Sequence, residues 1–459
     1  MDILDLIKKY QAQLVFLIIC ITSLALFYPS LNYYFFQDDW FVLNWVRTND
    51  LLSFFEFRTD IIYWRPLSMP LFFWFGKNLF WLNPFGFHLI SFIFHIINIM
   101  LLGHLSLLIF NNKKAALITM LFYATASFHF MSLSWLSLTW NTIGFMFFQI
   151  ALIFYLNFRK KNVFYNTVLA LIFFIFAISS NEFAIVFPLA VIISDFIIRS
   201  KFNFNYLRNN FVLICSSAIV VVYLTVRIFI YPIPSEAEYS IAVDQRTLKN
   251  LLWYVLWLLN LPEELKYQVI LSKLQITQIF LNAAKNYLPY ILILFAANLI
   301  TLLTILVGGV RNKSSRLLVA ATIFFILGLM PVLILQNHSF PYYLTIPSLF
   351  VFISIGKASS SYFENMKSKR AVMITLSFIV TWVALSLLTL TLTRKMHWIT
   401  AEQNLSREKI EFIKNQHPIF PTNLVVEIPN SNKQIIQSLM DQNATQVIYN
   451  NENIKTVYK

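Results

Sequence analysis

The run LVFLIICITSLALFYPSL, Leu14 to Leu31, carries no charge and passes directly into NYYFFQDDW, Asn32 to Trp40. As a helix rising 1.5 Å per residue, such a run crosses most of a ~30 Å hydrocarbon core. It reads as a membrane span, and Asp38-Asp39 as an acidic pair placed where that span ends. Downstream come YWRPL, Tyr63 to Leu67, and NPFGFH, Asn83 to His88, which opens the second long apolar run. An acidic pair, Arg65 and His88 therefore converge on one face of a membrane protein.

Composition sets the class. The 459 residues are 58% hydrophobic and 12% charged, with mean hydropathy +0.66, which excludes an ordinary soluble domain. The net charge of +14 resembles a nucleic-acid signal only until the basic residues are located. Most sit in short loops between apolar runs, a pattern of membrane topology, so no nucleic-acid partner is indicated. Cys20 and Cys215 both lie in apolar runs, which gives neither a disulfide framework nor a metal cluster. Lys8 and Lys9 precede the first span without a small-residue cleavage site, as in a retained signal anchor.

Eleven spans are expected, near 14–31, 86–110, 115–133, 137–158, 163–180, 183–198, 211–231, 287–309, 317–335, 343–356 and 371–392. With alternating connections, Lys8/Lys9, Lys113/Lys114, Arg159/Lys160/Lys161, Arg199/Lys201/Arg208, Arg311/Lys313/Arg316 and Lys357/Lys367/Lys369/Arg370 fall on one side. That side is cytoplasmic by the positive-inside rule. The short opposite turns at 132–136, 180–182 and 336–340 hold no Lys or Arg. This gives a cytoplasmic N-terminus and an extracytoplasmic C-terminus.

Two outer connections are long. The first, 32–85, alternates charges with Trp and Phe, as helices lying in the interface do. The second, 232–286, holds a nine-residue apolar stretch between Asn250 and Asn260, too short to span. After the last span, 393–459 turns polar: a helix to Gln416, an extended 424–428, a helix near 433–440, and 445–449 extended. The expected fold is thus an all-α polytopic membrane protein with a transmembrane domain over 1–392 and a small extracytoplasmic α/β domain over 393–459.

Each candidate residue has two readings. Asp38 and Asp39 solvate a helix end, or they form a site in which like charges raise one partner's pKa and equip it as a general base. Arg65 snorkels, or clamps a phosphate with its planar fork. Arg227 lies inside an apolar run, about one turn from the outer end, where a charge requires a partner. His88, Ser91, His95 and Asn98 share one helical face; His95 and Asn98 suit interior hydrogen bonding, and His88, nearer the surface, substrate contact. Glu182 in the Asn181-Glu182 turn is either solvated or a substrate or metal carboxylate. His338, Tyr342 and Tyr343 form another outer turn that topology brings to the same place. Asp195 reads as structural.

These landmarks, in this order, resemble the GT-C superfamily of membrane glycosyltransferases, nearest to transmembrane O-mannosyltransferases with tetratricopeptide repeats and their bacterial relatives. Asp38-Asp39 is similar to the acidic pair of that family's first outer loop. Tyr63 to Leu67, Asn83 to His88, His95 and Asn98 resemble the block that follows it. Ser180-Asn181-Glu182, Pro188 and Asp195 resemble a Ser-Lys-Glu, Pro, Asp pattern, and 343–348 an Arg-Tyr-x-Tyr-Leu-Pro-Ser segment. Asn181 and Tyr342 stand where that family tends to have Lys and Arg, and the repeats are missing.

The resemblance implies an inverting glycosyltransferase of the cell envelope, in a bacterial cell membrane, that uses a polyprenyl-phosphate-linked sugar on the outer face. Asp38 is then the base; Arg65, His88, Glu182, Arg227, His338, Tyr342 and Tyr343 contact substrate. The acceptor is a glycan, lipid or protein; no cofactor is certain, and a divalent metal is possible. The alternative is a flippase or transporter of lipid-linked saccharide, which calls for a polar midplane site between repeated halves. The topology has its own test: reporter fusions at Lys160 and at the C-terminus are expected on opposite sides of the membrane, and both in the cytoplasm would refute the map.

Overall fold

The computed structural model describes residues 3–59, 61–198, 210–231, 239–270, 275–309, 314–366, 369–418, 425–429 and 431–459. Arg199, Lys201, Arg208, Arg311, Lys313, Lys367 and Leu424, used in the topology above, lie outside the described residues. The helices in chain order are α1 Ile3–Phe27, α2 Asp38–Thr48, α3 Pro70–Phe80, α4 Pro84–Phe110, α5 Lys113–Ala124, α6 His129–Ser134, α7 Thr139–Lys161, α8 Phe164–Ile178, α9 Phe187–Ile198 and α10 Phe211–Ile230. There follow α11 Gln245–Leu258, α12 Glu264–Gln268, α13 Gln278–Ala284, α14 Leu288–Gly309, α15 Ser314–Leu333, α16 Leu349–Met366, α17 Lys369–Met396, α18 Trp398–Gln416, α19 Lys433–Leu439 and α20 Asn443–Tyr449.

Among the described residues seven helices are long and apolar enough to cross a membrane: Tyr10–Asn32, Pro84–Phe110, Leu136–Lys161, Phe211–Ile230, Leu288–Gly308, Arg316–Leu333 and Lys369–Met396. The other four expected spans are helical but shorter or more polar. α5 and α9 have 12 residues each and α8 has 15, while α16 carries Lys357 and Glu364 among its 18. These lie within the bundle, where α7 packs on α8 and α16 on α5. The result is an all-α membrane protein.

Several polar groups inside the bundle are paired, which suits hydrocarbon surroundings. Asn98 donates to the Thr142 carbonyl at 2.8 Å and accepts from Gln149 at 2.8 Å. His95 meets Ser23 Oγ at 3.2 Å. At the other end of α7, Asp195 is held by Tyr155, by Arg159 Nε at 3.2 Å and, through Tyr155, by Asn210.

The short stretch between Asn250 and Asn260 belongs to a 14-residue helix, α11, started by an Asp244–Thr247 capping box. Its far end is tied to the last span. Thr389 Oγ1 donates to the Asn260 carbonyl at 2.7 Å, Thr393 to Glu264 at 3.2 Å, and His397 Nε2 to Glu263 at 3.1 Å.

After α17 the chain forms a parallel pair, β1 Val425–Ile428 with β2 Lys455–Tyr458. Here one expectation is corrected: residues 445–449, read as extended from Thr445, Val447, Ile448 and Tyr449, form helix α20. Parallel strands need a crossover. α19 and α20 supply it, burying Ala444, Val447 and Ile448, so tertiary demand overrides β propensity.

This C-terminal unit packs on α2 and the residues before it. Trp40 Nε1 donates to Ser406 at 3.0 Å, Asn44 to Asn443 and Gln446 at 2.8 and 2.9 Å, and Tyr33 meets Thr400 at 2.9 Å.

Gly144 on α7 shows how tightly the bundle holds its end turns: a Cβ there would lie 2.3 Å from Asn181 Cβ. Gly144→Ala is expected to displace the Asn181-Glu182 turn and cost about 1–3 kcal/mol by overpacking, seen as a lower thermal midpoint in detergent. An unchanged midpoint would contradict that packing.

Candidate active site

The connections that follow α1, α2, α6, α8 and α15, with the last turn of α10, meet at one end of the bundle around a cavity of about 420 Å³. Asp38, Arg65, Glu182, Arg227, His338, Tyr342 and Tyr343 line it. Asp39 and His88 do not.

The acidic pair is set by the residue before it. Gln37 adopts φ +50°, ψ −124°, a strained conformation for a non-glycine residue, and its N–H donates to the Ser438 carbonyl at 2.9 Å. This reversal starts α2, with both carboxylates in its first turn, where the helix dipole favours negative charge. Adjacent residues on a helix point about 100° apart, so the pair divides. Asp38 turns to the cavity, half-buried, and makes no side-chain hydrogen bond among the described residues. Asp39 turns inward, fully buried, and accepts from the Ser137 N–H at 2.8 Å, Ser137 Oγ at 2.6 Å and the Phe36 N–H at 3.3 Å. Burial outweighs those bonds and pushes Asp39 up to about 8. Burial also raises Asp38, while the Arg65 charge pulls it part of the way back.

Arg65 and Glu182 form a two-pronged ion pair, Nε to Oε2 at 2.7 Å and Nη2 to Oε1. Their side chains are 11% and 29% exposed. The guanidinium lies 3.8 Å over the Trp140 ring and 4.5 Å over Tyr63, close to the optimum for cation–π contact. Burial would raise Glu182, but Arg65 more than reverses this and holds it below the usual carboxylate range. The fork read from sequence as a phosphate clamp is thus occupied by Glu182.

Arg227 differs. Among the described residues it rests on the Tyr231 ring at 5.4 Å and forms no ion pair, although its charge also bears on Glu182.

His338 lies against Tyr239 and Phe340, centroids 4.5 and 4.9 Å away. Burial, with help from Lys266 and Arg65, pushes it down to about 4, so it is neutral at pH 7. The Tyr342 and Tyr343 rings lie 4.3 Å apart and tilted to each other, the first stacked on Phe340 and the second edge to face with Phe183.

His88 is the residue that geometry moves away from the site. Only 1% exposed, it bonds through Nδ1 to the Leu133 carbonyl at 3.0 Å and fixes α4 to α6.

Residues the sequence did not single out complete the lining: Trp135, Ser137 and Trp140, and Trp398 from the C-terminal unit. The uncharged turn after α6 was the available signal for the first three. Nothing in the sequence joins Trp398 to them. Among the described residues no three His, Cys, Asp or Glu side chains gather as a metal-binding group.

No family model matches this chain, and no curated protein matches its sequence. Solved structures do. The chain is similar to the Archaeoglobus fulgidus oligosaccharyltransferase in its apo form, with 14% identity and TM-score 0.51 over 96% of this chain and 64% of that one. The same enzyme tethered to an acceptor peptide containing the NVT sequon gives 14% and 0.50 over 99% and 64%. The chain therefore spans about 64% of the length of those structures. At this identity the likeness is one of fold.

The Arg65–Glu182 pair yields a stability test. Removing one partner of a buried pair leaves the other charge uncompensated, about 3–5 kcal/mol, whereas replacing both with apolar residues costs far less. Glu182→Leu is expected to destabilise more than Arg65→Met/Glu182→Leu in detergent denaturation. Additive losses would show that the two groups do not interact.

Proposed function

We propose that this chain is an inverting glycosyltransferase that moves a sugar from a polyprenyl-phosphate donor to an acceptor hydroxyl on the extracytoplasmic face. The observation that carries this reading is a single cavity lined by Asp38, a carboxylate without side-chain hydrogen bonds among the described residues, and Arg227, a guanidinium without an ion pair among them. A membrane protein places two such groups together only where something else completes them.

In the proposed reaction the donor phosphate lies on Arg227. Arg65, fixed by Glu182, contributes charge to the cavity and keeps Asp38 ionised. Asp38 takes the proton from the acceptor hydroxyl as its oxygen bonds to the anomeric carbon from the face opposite the phosphate. The bond from anomeric carbon to phosphate oxygen breaks, and polyprenyl phosphate leaves with the electron pair. The transition state is oxocarbenium-like, as in glycoside hydrolysis. Asp39, mostly protonated at pH 7, orients the turn without adding a second charge. His338, Tyr342 and Tyr343 line the substrate space as neutral groups.

Residues 1–392 form the catalytic membrane domain in this reading, and 393–459 an outer domain that braces the Asp38 turn. The fold similarity to an oligosaccharyltransferase supports membrane glycosyl transfer. The position of the site at helix ends, instead of midway along broken helices, favours an enzyme over a transporter.

The test is product formation by purified protein in detergent, where no compartments remain to be crossed. Asp38→Asn is expected to lower transfer by about 10²- to 10⁴-fold, the usual worth of a general base, and Asp39→Asn by much less. Undiminished transfer by Asp38→Asn would remove it from that role. Arg227→Ala is expected to raise the donor KM, and Arg227→Lys to recover only part, since an ammonium lacks the planar fork.

The pH dependence has a definite sign. The base acts ionised and its pKa is raised, so transfer is lost as pH falls through a value above the ordinary carboxylate near 4. An acid limb at or below that value would contradict the burial of Asp38.

A further inference from the structure

The cavity has a second chemistry that the carboxylate and the arginines leave unexplained. Phe36, two residues before Asp38, stacks on Trp135 with centroids 5.4 Å apart, and Trp135 meets Trp398 edge to face at 5.3 Å and 87°. Trp135 and Trp398 both line the cavity and are only partly buried. They come from distant parts of the chain: the turn that also carries Ser137, and the first residue of α18. The indole N–H of Trp135 has no acceptor among the described residues. Asp38 is joined to this corner from both sides, through Phe36 and through the Ser137 grip on its neighbour Asp39.

We propose that the corner is the acceptor subsite and that the acceptor is a saccharide, its ring laid against Trp398 and Trp135 with one hydroxyl presented to Asp38. This rests on the glycosyl-transfer reading above. The C–H face of a pyranose is apolar and electropositive, which complements the negative face of an aromatic ring. Its rim of hydroxyls needs hydrogen-bonding partners once water is excluded, and indole N–H and tyrosyl O–H groups supply them.

A peptide acceptor makes a different demand, because an extended backbone binds by finding unpaired edge groups. One extended pair beside this cavity, at 240–242 and 334–336, is already bridged. Ile241 pairs with Leu335, the Ala242 N–H donates to the Ile334 carbonyl at 3.0 Å, and the Gln336 N–H to the Ser240 carbonyl at 3.1 Å. The cavity volume falls within the range of small-molecule sites.

The experiment uses the purified full-length protein in detergent and saturation-transfer NMR. Methyl glycosides of mannose, glucose and galactose, with their disaccharides, are compared with hexapeptides containing Ser, Thr or Asn. At least one glycoside is expected to receive saturation at its ring C–H protons. Trp398→Ala is expected to weaken that binding roughly tenfold, the scale of one lost aromatic contact, and Trp398→Phe to restore most of it. Trp135→Phe, which removes the N–H but keeps a ring, provides a second variant if Trp398→Ala does not fold, and is also expected to weaken binding.

Binding of peptides without glycosides, no binding of either, or glycoside binding indifferent to both tryptophans would overturn the inference. Release of polyprenyl phosphate from lipid-linked sugars, measured separately in wild type and Asp38→Asn, keeps the two claims apart. Asp38-dependent release with peptide-only binding overturns the acceptor class alone. Absence of such release overturns the enzyme reading, whatever binds.

Discussion

The grip of Ser137 on Asp39 is the contact on which the site depends. Two donors from one residue, backbone and hydroxyl, hold a carboxylate that burial has made reluctant to ionise. A buried group of this kind is costly unless it is hydrogen-bonded, so the turn before α7 and the first turn of α2 are fixed relative to each other. Once Asp39 is anchored inward, helix geometry leaves Asp38 one direction, toward the cavity. The pair is therefore an anchor and a cavity-facing carboxylate, and not two equivalent acids.

The C-terminal unit reinforces the same turn from the other side. The Ser438 carbonyl takes the N–H of the strained Gln37, Ser406 takes the indole of Trp40, and Trp398 closes the aromatic corner. An unusual backbone conformation persists when its surroundings over-determine it. Here those surroundings come from sequence more than 350 residues away, so the C-terminal unit belongs to the architecture of the cavity.

Much of this was legible in the sequence because hydrophobic length and charge placement are strong local signals. The apolar runs gave the helices, and uncharged turns and interrupted runs gave Asp38, Arg65, Glu182, Arg227, His338, Tyr342 and Tyr343, all of which meet at one cavity. What was not legible was pairing. Charge alone could not say that the Arg65 fork closes on Glu182 instead of standing open, or that His88 is buried against the Leu133 carbonyl and does not line the cavity. The 445–449 segment misled for a related reason: its β-forming composition is local, and the crossover that makes it a helix is not. Ser137 and Trp398 escaped notice because a lone serine and a lone tryptophan acquire meaning only from what folds against them.

The central claim is that a lipid phosphate on Arg227 presents a sugar to Asp38. A cryo-EM structure of the purified protein with bound polyprenyl phosphate tests it most directly. The account predicts phosphate oxygens within hydrogen-bond distance of the Arg227 guanidinium, the Arg65–Glu182 pair intact, and the Asp38 carboxylate facing the side of the phosphate where the anomeric carbon would lie. Phosphate bound outside this cavity, or seated in it with Asp38 turned away, would contradict it.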